Sequence, residues 1–352
     1  MKSLSSNSVA GPTPAADSFR PLQVVAMGGG TGLSTLLKGL KHYVAGAEPP
    51  AASRLIGELC AVVTVTDDGG SSGRLRKEFN VLPPGDIRNC IAALSEDEAL
   101  LSRLFQHRFH AGAGLNGHSF GNLFLTALTA ITGDFAEAVK QSSAILATRG
   151  HIYPSTTSDV RLEAIMADGT RVPGETNITA STKRIVSIHL HPADAQPLPQ
   201  TLEAIGQADL ITIGPGSLFT SLVPNLLVRG IPEAVAASRA VKVFVCNLMT
   251  EANESLGLTA ADHIRVLHEH AGTRIVDYAL VNRTPVPFDL KAKYAAEGGS
   301  QIEVDVAAIE KLGAKVILGD YLETAEGVAR HATDRVTRDL LTLVAQAAGA
   351  AG

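Results

Sequence analysis

The run 24–27 (Val-Val-Ala-Met) leads directly into Gly28-Gly29-Gly30-Thr31-Gly32, and leucines follow at 33, 36, 37 and 40. That order constrains this chain more than any other feature. The apolar run reads as a short buried strand, and the leucine spacing marks one stripe of an amphipathic helix. A Gly-rich turn between them lets the backbone approach a phosphate, and the helix N-terminus then offers free N–H groups and a favourable dipole. A plain tight turn is the bland alternative, but four glycines in five residues argue against it. The dinucleotide fingerprint G-x-G-x-x-G fails, because Leu33 occupies its third Gly position, and no Gly-Lys-Ser or Gly-Lys-Thr makes a P-loop. Gly29, Gly30, Thr31 and Gly32 are therefore candidate phosphate contacts outside both patterns.

The rest of the chain repeats the alternation. Residues 60–66 read as the next strand, which stops at Asp67-Asp68-Gly69-Gly70. From about 85 to 148 the spacing is helical. Between 151 and 191 the period changes: 161–166 alternates, Asp168-Gly169 is a two-residue hairpin signal, and 184–190 reads as a strand. We read 151–191 as a β-rich insertion. Strands at 210–213, 241–246, 275–281 and 316–318 follow, with helices near 231–238 and 260–270 and a C-terminal helix from about 333 to 348. Strands alternating with helices predict an α/β fold with a doubly wound, mostly parallel sheet. The expected organisation is one domain over 22–332, a helix over 333–352, and a disordered Ser-, Ala- and Pro-rich tail over 1–21.

Polar residues recur where the strands stop. Thr66 to Arg74 carries Asp67 and Asp68, an acidic pair placed where a ribose diol or a divalent cation is held, followed by Ser71 and Ser72. The same pair also reads as an Asp cap on a flexible loop. Gly117-His118-Ser119-Phe120-Gly121-Asn122 opens a helix; His118 is either a phosphate donor or a structural histidine, and Asn122 lies beside it. Gly214-Pro215-Gly216-Ser217, with Thr220 and Asn225 beyond, forms a second Gly-rich loop after a strand. The next strand ends at Asn247, Thr250 and Glu251. Two Gly-rich loops in one parallel sheet predict a shared crevice at a topological switch point.

Composition bounds the function. The chain has 352 residues, 45% hydrophobic, with a net charge of −5. That balance gives no basic footprint for nucleic acid. Mean hydropathy is +0.16, yet no apolar run approaches the roughly 20 residues that span a bilayer. Cys60, Cys90 and Cys246 form no Cys-x-x-Cys pair, so neither a zinc site nor a disulfide framework is expected, and a reducing cytoplasm is the expected compartment. The pairs His189/His191, His268/His270 and His107/His110 lack a carboxylate or Cys at metal-site spacing.

Taken in order, Gly28–Gly32, Thr66–Arg74, Gly85-Asp86-Ile87-Arg88-Asn89, Gly117–Asn122, Gly214–Ser221 with Pro224-Asn225-Leu226-Leu227, and Cys246-Asn247-Leu248-Met249-Thr250 resemble the gluconeogenesis-factor family. The resemblance runs from about Leu22 to Thr333. It implies the Rossmann-like fold of 2-phospho-L-lactate transferase and a bound nucleotide sugar such as UDP-N-acetylglucosamine. It also implies roles in cell shape and in growth on gluconeogenic carbon sources, through protein partners of cell-wall regulation or a homo-oligomer. Arg330 resembles a sugar-nucleotide contact of the family. No cofactor is implied as obligatory; Mg²⁺ held by Asp67 and Asp68 is the expectation for a transferase, the second reading. Phe120, Phe219, Glu251 and Ala332 stand where the family pattern expects Leu, Tyr, Gln and Asp.

Overall fold

The computed structural model describes residues 20–45, 55–96, 100–325 and 327–351. The expected N-terminal tail therefore lies almost wholly outside the described residues. In chain order the strands are β1 (Leu22–Gly28), β2 (Ile56–Val63), β3 (His151–Pro154), β4 (Arg161–Met166), β5 (Arg171–Pro173), β6 (Ile185–His191), β7 (Leu210–Ile213), β8 (Val241–Val245), β9 (Tyr278–Asn282), β10 (Lys315–Gly319), β11 (Leu322–Ala325) and β12 (Val328–His331). Seven of them form one sheet in the order β10-β9-β8-β7-β1-β2-β3. Every pairing in it is parallel.

The central strands are apolar on both faces because helices cover both sides. Val24, Val25, Ala26 and Met27 are buried, as are Leu210, Ile211 and Ile213. Strand order reverses at β1: the chain moves outward through β2 and β3, then returns to the other side of β1 as β7 and continues outward to β10. The junction of β1 and β7 is thus the switch point, where crossover connections diverge and leave a crevice at the strands' carboxyl ends. Met27 pairs with Ile213 in register, so both Gly-rich loops leave the sheet side by side.

The segment 151–191 divides. Its first four residues, His151–Pro154, are the edge strand of the main sheet, paired with β2. The remainder forms a separate antiparallel sheet, β5-β4-β6. The Asp168-Gly169 turn joins β4 to β5, with Gly169 at φ 81° and Asp168 accepting from the Thr170 N–H. The hairpin β11–β12 breaks the helix-and-strand rhythm and was not legible in the spacing. The C-terminal helix Thr333–Ala351 buries Val336, Leu340, Leu341 and Val344 and crosses the helix Gly30–Leu40 at Gly39, where an added Cβ would lie 2.6 Å from Thr337 Oγ1.

Gly32 sets how closely the two loops approach. A Cβ there would stand 2.4 Å from the Pro215 carbonyl oxygen and 2.9 Å from Gly216 Cα, both backbone atoms that cannot rotate away. Overpacking of this kind costs about 1–3 kcal/mol. Gly32→Ala is expected to lower the urea midpoint by a corresponding amount without changing the m-value; a wild-type midpoint would show that the loops have room to separate.

Candidate functional site

The helix Gly30–Leu40 begins without a side-chain cap: Gly29, its N-cap, has none to offer. The first N–H groups of a helix have no partner within it. Here the Gly30 N–H donates to Asp86, and those of Thr31 and Gly32 stand at the mouth of a cleft of about 430 Å³. That volume lies in the range of small-molecule sites. Gly29, Gly30, Thr31 and Gly32 form one wall, Gly216, Ser217 and Ser221 a second, and Asn247 through Ala252 a third, with Tyr294 and His331 closing it.

The second loop is held by carboxylates and amides. Asn247 accepts from the Gly216 N–H (3.0 Å) and donates to the Gly216 oxygen (2.9 Å). Glu251 accepts from Ser217 Oγ (2.6 Å) and from Asn247 Nδ2 (3.2 Å). Glu254, buried, accepts from the N–H groups of Phe219 (2.8 Å) and Thr220 (2.7 Å). A carboxyl thus already caps the helical turn after β7. Burial first, and Glu251 next, push the Glu254 carboxyl well above the usual carboxylate range. The Gly216, Phe219 and Thr220 N–H groups of the second loop are thus already engaged.

The predicted residues fall into three groups. Gly29, Gly30, Thr31, Gly32, Gly216, Ser217 and Asn247 line the cleft. Gly214, Thr220 and Asn225 stand behind it as braces: the Gly214 N–H donates to the Met27 oxygen, and Asn225 Nδ2 donates to the oxygens of Gly28 (3.0 Å) and Ser221 (2.8 Å). Asp67, Asp68, Ser71, Ser72, His118 and Asn122 lie along a neighbouring stretch of the same sheet edge. Arg330 is half-buried on β12, between the lining residues Ala329 and His331; alternation along a strand turns its side chain to the opposite face from theirs.

That neighbouring stretch is acidic. Asp67 accepts from the Gly69 N–H. Asp68 accepts from the Thr176 N–H (2.9 Å) and Oγ1 (2.6 Å), tying the insertion to the sheet edge. Asp86, of the Gly85–Asn89 motif, would lie with its Oδ2 2.7 Å from a Cβ on Gly29, so it borders the cleft loop directly. Burial and then Asp67 push its carboxyl up to about 6, against the Gly30 N–H bond that pulls it down. Glu175, which nothing in the sequence singled out, is raised to about 9 by burial, then by Asp67 and Asp86. Among the described residues no group of three or more His, Cys, Asp or Glu has metal-holding geometry. Asp67 raises the Asp86 carboxyl, and Arg88 offsets part of that effect. His331 Nε2 donates to the Cys246 oxygen (3.0 Å), and burial pushes its pKa down to about 4. His270 is structural: it accepts from the Ile188 N–H and its Nδ1 bonds the Val266 oxygen.

The raised Glu175 carboxyl has a pH consequence. Its folded value near 9 exceeds its ordinary 4.5, so the folded state holds the proton more tightly. The stabilisation is complete below about 4.5 and is lost as pH rises toward 9. Glu175→Gln is expected to raise Tm at about pH 8 by roughly 2–4 °C, with the gain vanishing by about pH 4.5. An equal Tm at both pH values would show that Glu175 is solvated.

Comparisons with known proteins agree with this architecture. The family model described as 2-phospho-L-lactate transferase CofD matches residues 24–322. A gluconeogenesis factor of Halalkalibacterium halodurans is 47% identical over 318 residues, 90% of this chain and 95% of the relative. That of Bacillus subtilis is 45% identical over 322 residues, 92% and 98% of the two chains. A crystal structure of a Bacillus halodurans protein superposes with a TM-score of 0.87 at 46% identity, covering 92% of this chain and all of the other. With the switch-point cleft, the two Gly-rich loops and these matches together, the chain belongs to the gluconeogenesis-factor family and carries its CofD-like α/β domain.

Proposed function

We propose that this protein binds a nucleotide sugar, UDP-N-acetylglucosamine, in the switch-point cleft and acts as a cytoplasmic regulatory protein for cell shape and growth on gluconeogenic carbon. The observation that carries the binding reading is the uncapped start of the helix Gly30–Leu40, opening into a cleft whose opposite loop is fixed by Asn247 and Glu251. A pyrophosphate suits those N–H groups. The residues that hold the cleft's shape are already bonded to backbone, which favours recognition over turnover. No Lys or Arg is among the residues lining the cleft, so neutralisation falls to the helix terminus or to Mg²⁺ near Asp67 and Asp86. Among the described residues, no helix is long and apolar enough to cross a membrane. Regulatory action requires a partner, a second copy or a cell-wall regulator, that reads the loaded state.

The second reading, a Mg²⁺-dependent transferase, draws on the acidic stretch beside Gly30. Asp67 and Asp86 would hold the ion, which would supply charge neutralisation on the phosphates.

Calorimetry with the full chain separates these readings from a bare structural role. Wild type is expected to bind UDP-N-acetylglucosamine reversibly. Gly30→Val and Asn247→Ala are each expected to weaken binding at least about tenfold, or 1.4 kcal/mol, with circular dichroism unchanged. Wild-type affinity in Asn247→Ala would remove the second loop from the site. Mass spectrometry of the nucleotide after incubation with Mg²⁺ and cell extract is expected to recover it intact. A new phospho- or glycosyl-product, absent with Asp67→Asn, would establish the transferase instead.

A further inference from the structure

Beyond the acidic stretch, three arginines converge on one short ribbon. Residues 107–120 fold back on themselves: the Phe109 N–H donates to the His118 oxygen (2.9 Å) and the Gly117 N–H to the Phe109 oxygen (2.8 Å). Arg108, on one arm, donates through Nη1 to the Gly117 oxygen (2.6 Å). Arg74, from the helix Gly70–Phe79, donates through Nη2 to the Asn116 oxygen (2.8 Å). Arg88, from the helix Gly85–Leu94, packs its stem over Gly121, where a Cβ would lie 2.8 Å from its Cγ.

None of the three forms an ion pair among the described residues. This stands out in a chain of net charge −5. The nearest carboxylates to Arg88, Asp86 and Asp67, act on it only at longer range, and burial and then Arg108 push its guanidinium below the usual range. Arg88 Nε is buried with no acceptor, and Oδ1 of Asn122, a residue 2% exposed, is buried with no donor. At the same place His118, buried, is joined through Nδ1 to Ser71 Oγ (2.9 Å), which fixes its ring. Like charges held together without a counter-ion, one with an orphaned donor, are costly unless an anion completes the group.

We propose that Arg74, Arg88 and Arg108, with His118 beside them, form a subsite for a phosphate monoester distinct from the switch-point cleft. Each guanidinium spends one N–H on the neighbouring loop or side chain and keeps others for an acceptor. Three cations from three elements fit a tetrahedral dianion with three terminal oxygens better than a planar carboxylate, which one guanidinium satisfies. Asp86, which accepts from the Gly30 N–H, also acts on Arg88, so the subsite neighbours the first Gly-rich loop without sharing the lining of the cleft. The inference does not depend on which nucleotide occupies the cleft.

Inorganic phosphate is the probe, titrated into the full chain and followed by ³¹P line broadening and calorimetry. Wild type is expected to bind it at millimolar concentration or better. Arg108→Ala, an exposed side chain, is expected to weaken phosphate binding at least about tenfold while leaving UDP-N-acetylglucosamine affinity within about twofold. Arg74→Gln serves as the independent second variant, with the same expectation. Three results would overturn the proposal: no phosphate binding by wild type, undiminished binding by both variants, or competition between phosphate and UDP-N-acetylglucosamine with both lost together in Arg108→Ala. The last would mean that the arginines hold the nucleotide's own phosphates. Failure of UDP-N-acetylglucosamine to bind at all would count against the nucleotide-sugar reading alone, since the phosphate arms stand without it.

Discussion

The parallel pairing of β1 with β7 is the constraint on which the rest depends. These two strands are about 185 residues apart in sequence, yet Met27 and Ile213 lie opposite each other. Because the chain winds outward from β1 in both directions, no crossover covers their carboxyl ends. Both strands are buried on both faces, so their register is specified by the core and not by the loops. What the loops do is exploit it: Gly32 lets the helix after β1 approach the backbone of the second loop, and Asn225 ties the Gly28 oxygen to the turn after β7.

Electrostatics then divides the crevice. The helical turn after β7 is capped by Glu254; at the helix after β1, Asp86 takes the Gly30 N–H, and Gly29 has no side chain to offer the N–H groups that follow. An anion is therefore directed to the first loop. Asp67 lies beside it; burial first, and Asp67 next, raise the proton affinity of Asp86 and Glu175. The arginines lie on elements that the sheet has already placed.

Much of this was legible in the sequence. The apolar runs and the leucine stripe at 33, 36, 37 and 40 fixed β1 and its helix, since burial on both faces leaves a plain hydropathic signature. The recurrence of glycine and asparagine after strands located the crevice. What was not legible has a common physical cause. His151–Pro154 is too short for its period to separate an edge strand from the insertion that follows. Asp86, Glu175 and Glu254 sit on helices or turns where a carboxylate also serves as an ordinary cap or surface charge, and only folding brings them together. Arg74, Arg88 and Arg108 are likewise scattered in sequence and meet only at the ribbon 107–120. Arg330 was placed by resemblance alone; the hairpin that carries it has no turn signature in the spacing, and its immediate neighbours, not its own side chain, line the cleft.

The most direct test of the account is a crystal structure of the protein soaked with UDP-N-acetylglucosamine and Mg²⁺. The account predicts a pyrophosphate within hydrogen-bonding distance of the Thr31 and Gly32 N–H groups, with the second loop unmoved on Asn247. Density for the nucleotide elsewhere, as in the cavity lined by Lys140, Tyr153 and Gln200 beside the edge strand β3, with the Gly-rich loops free of ligand, would contradict it.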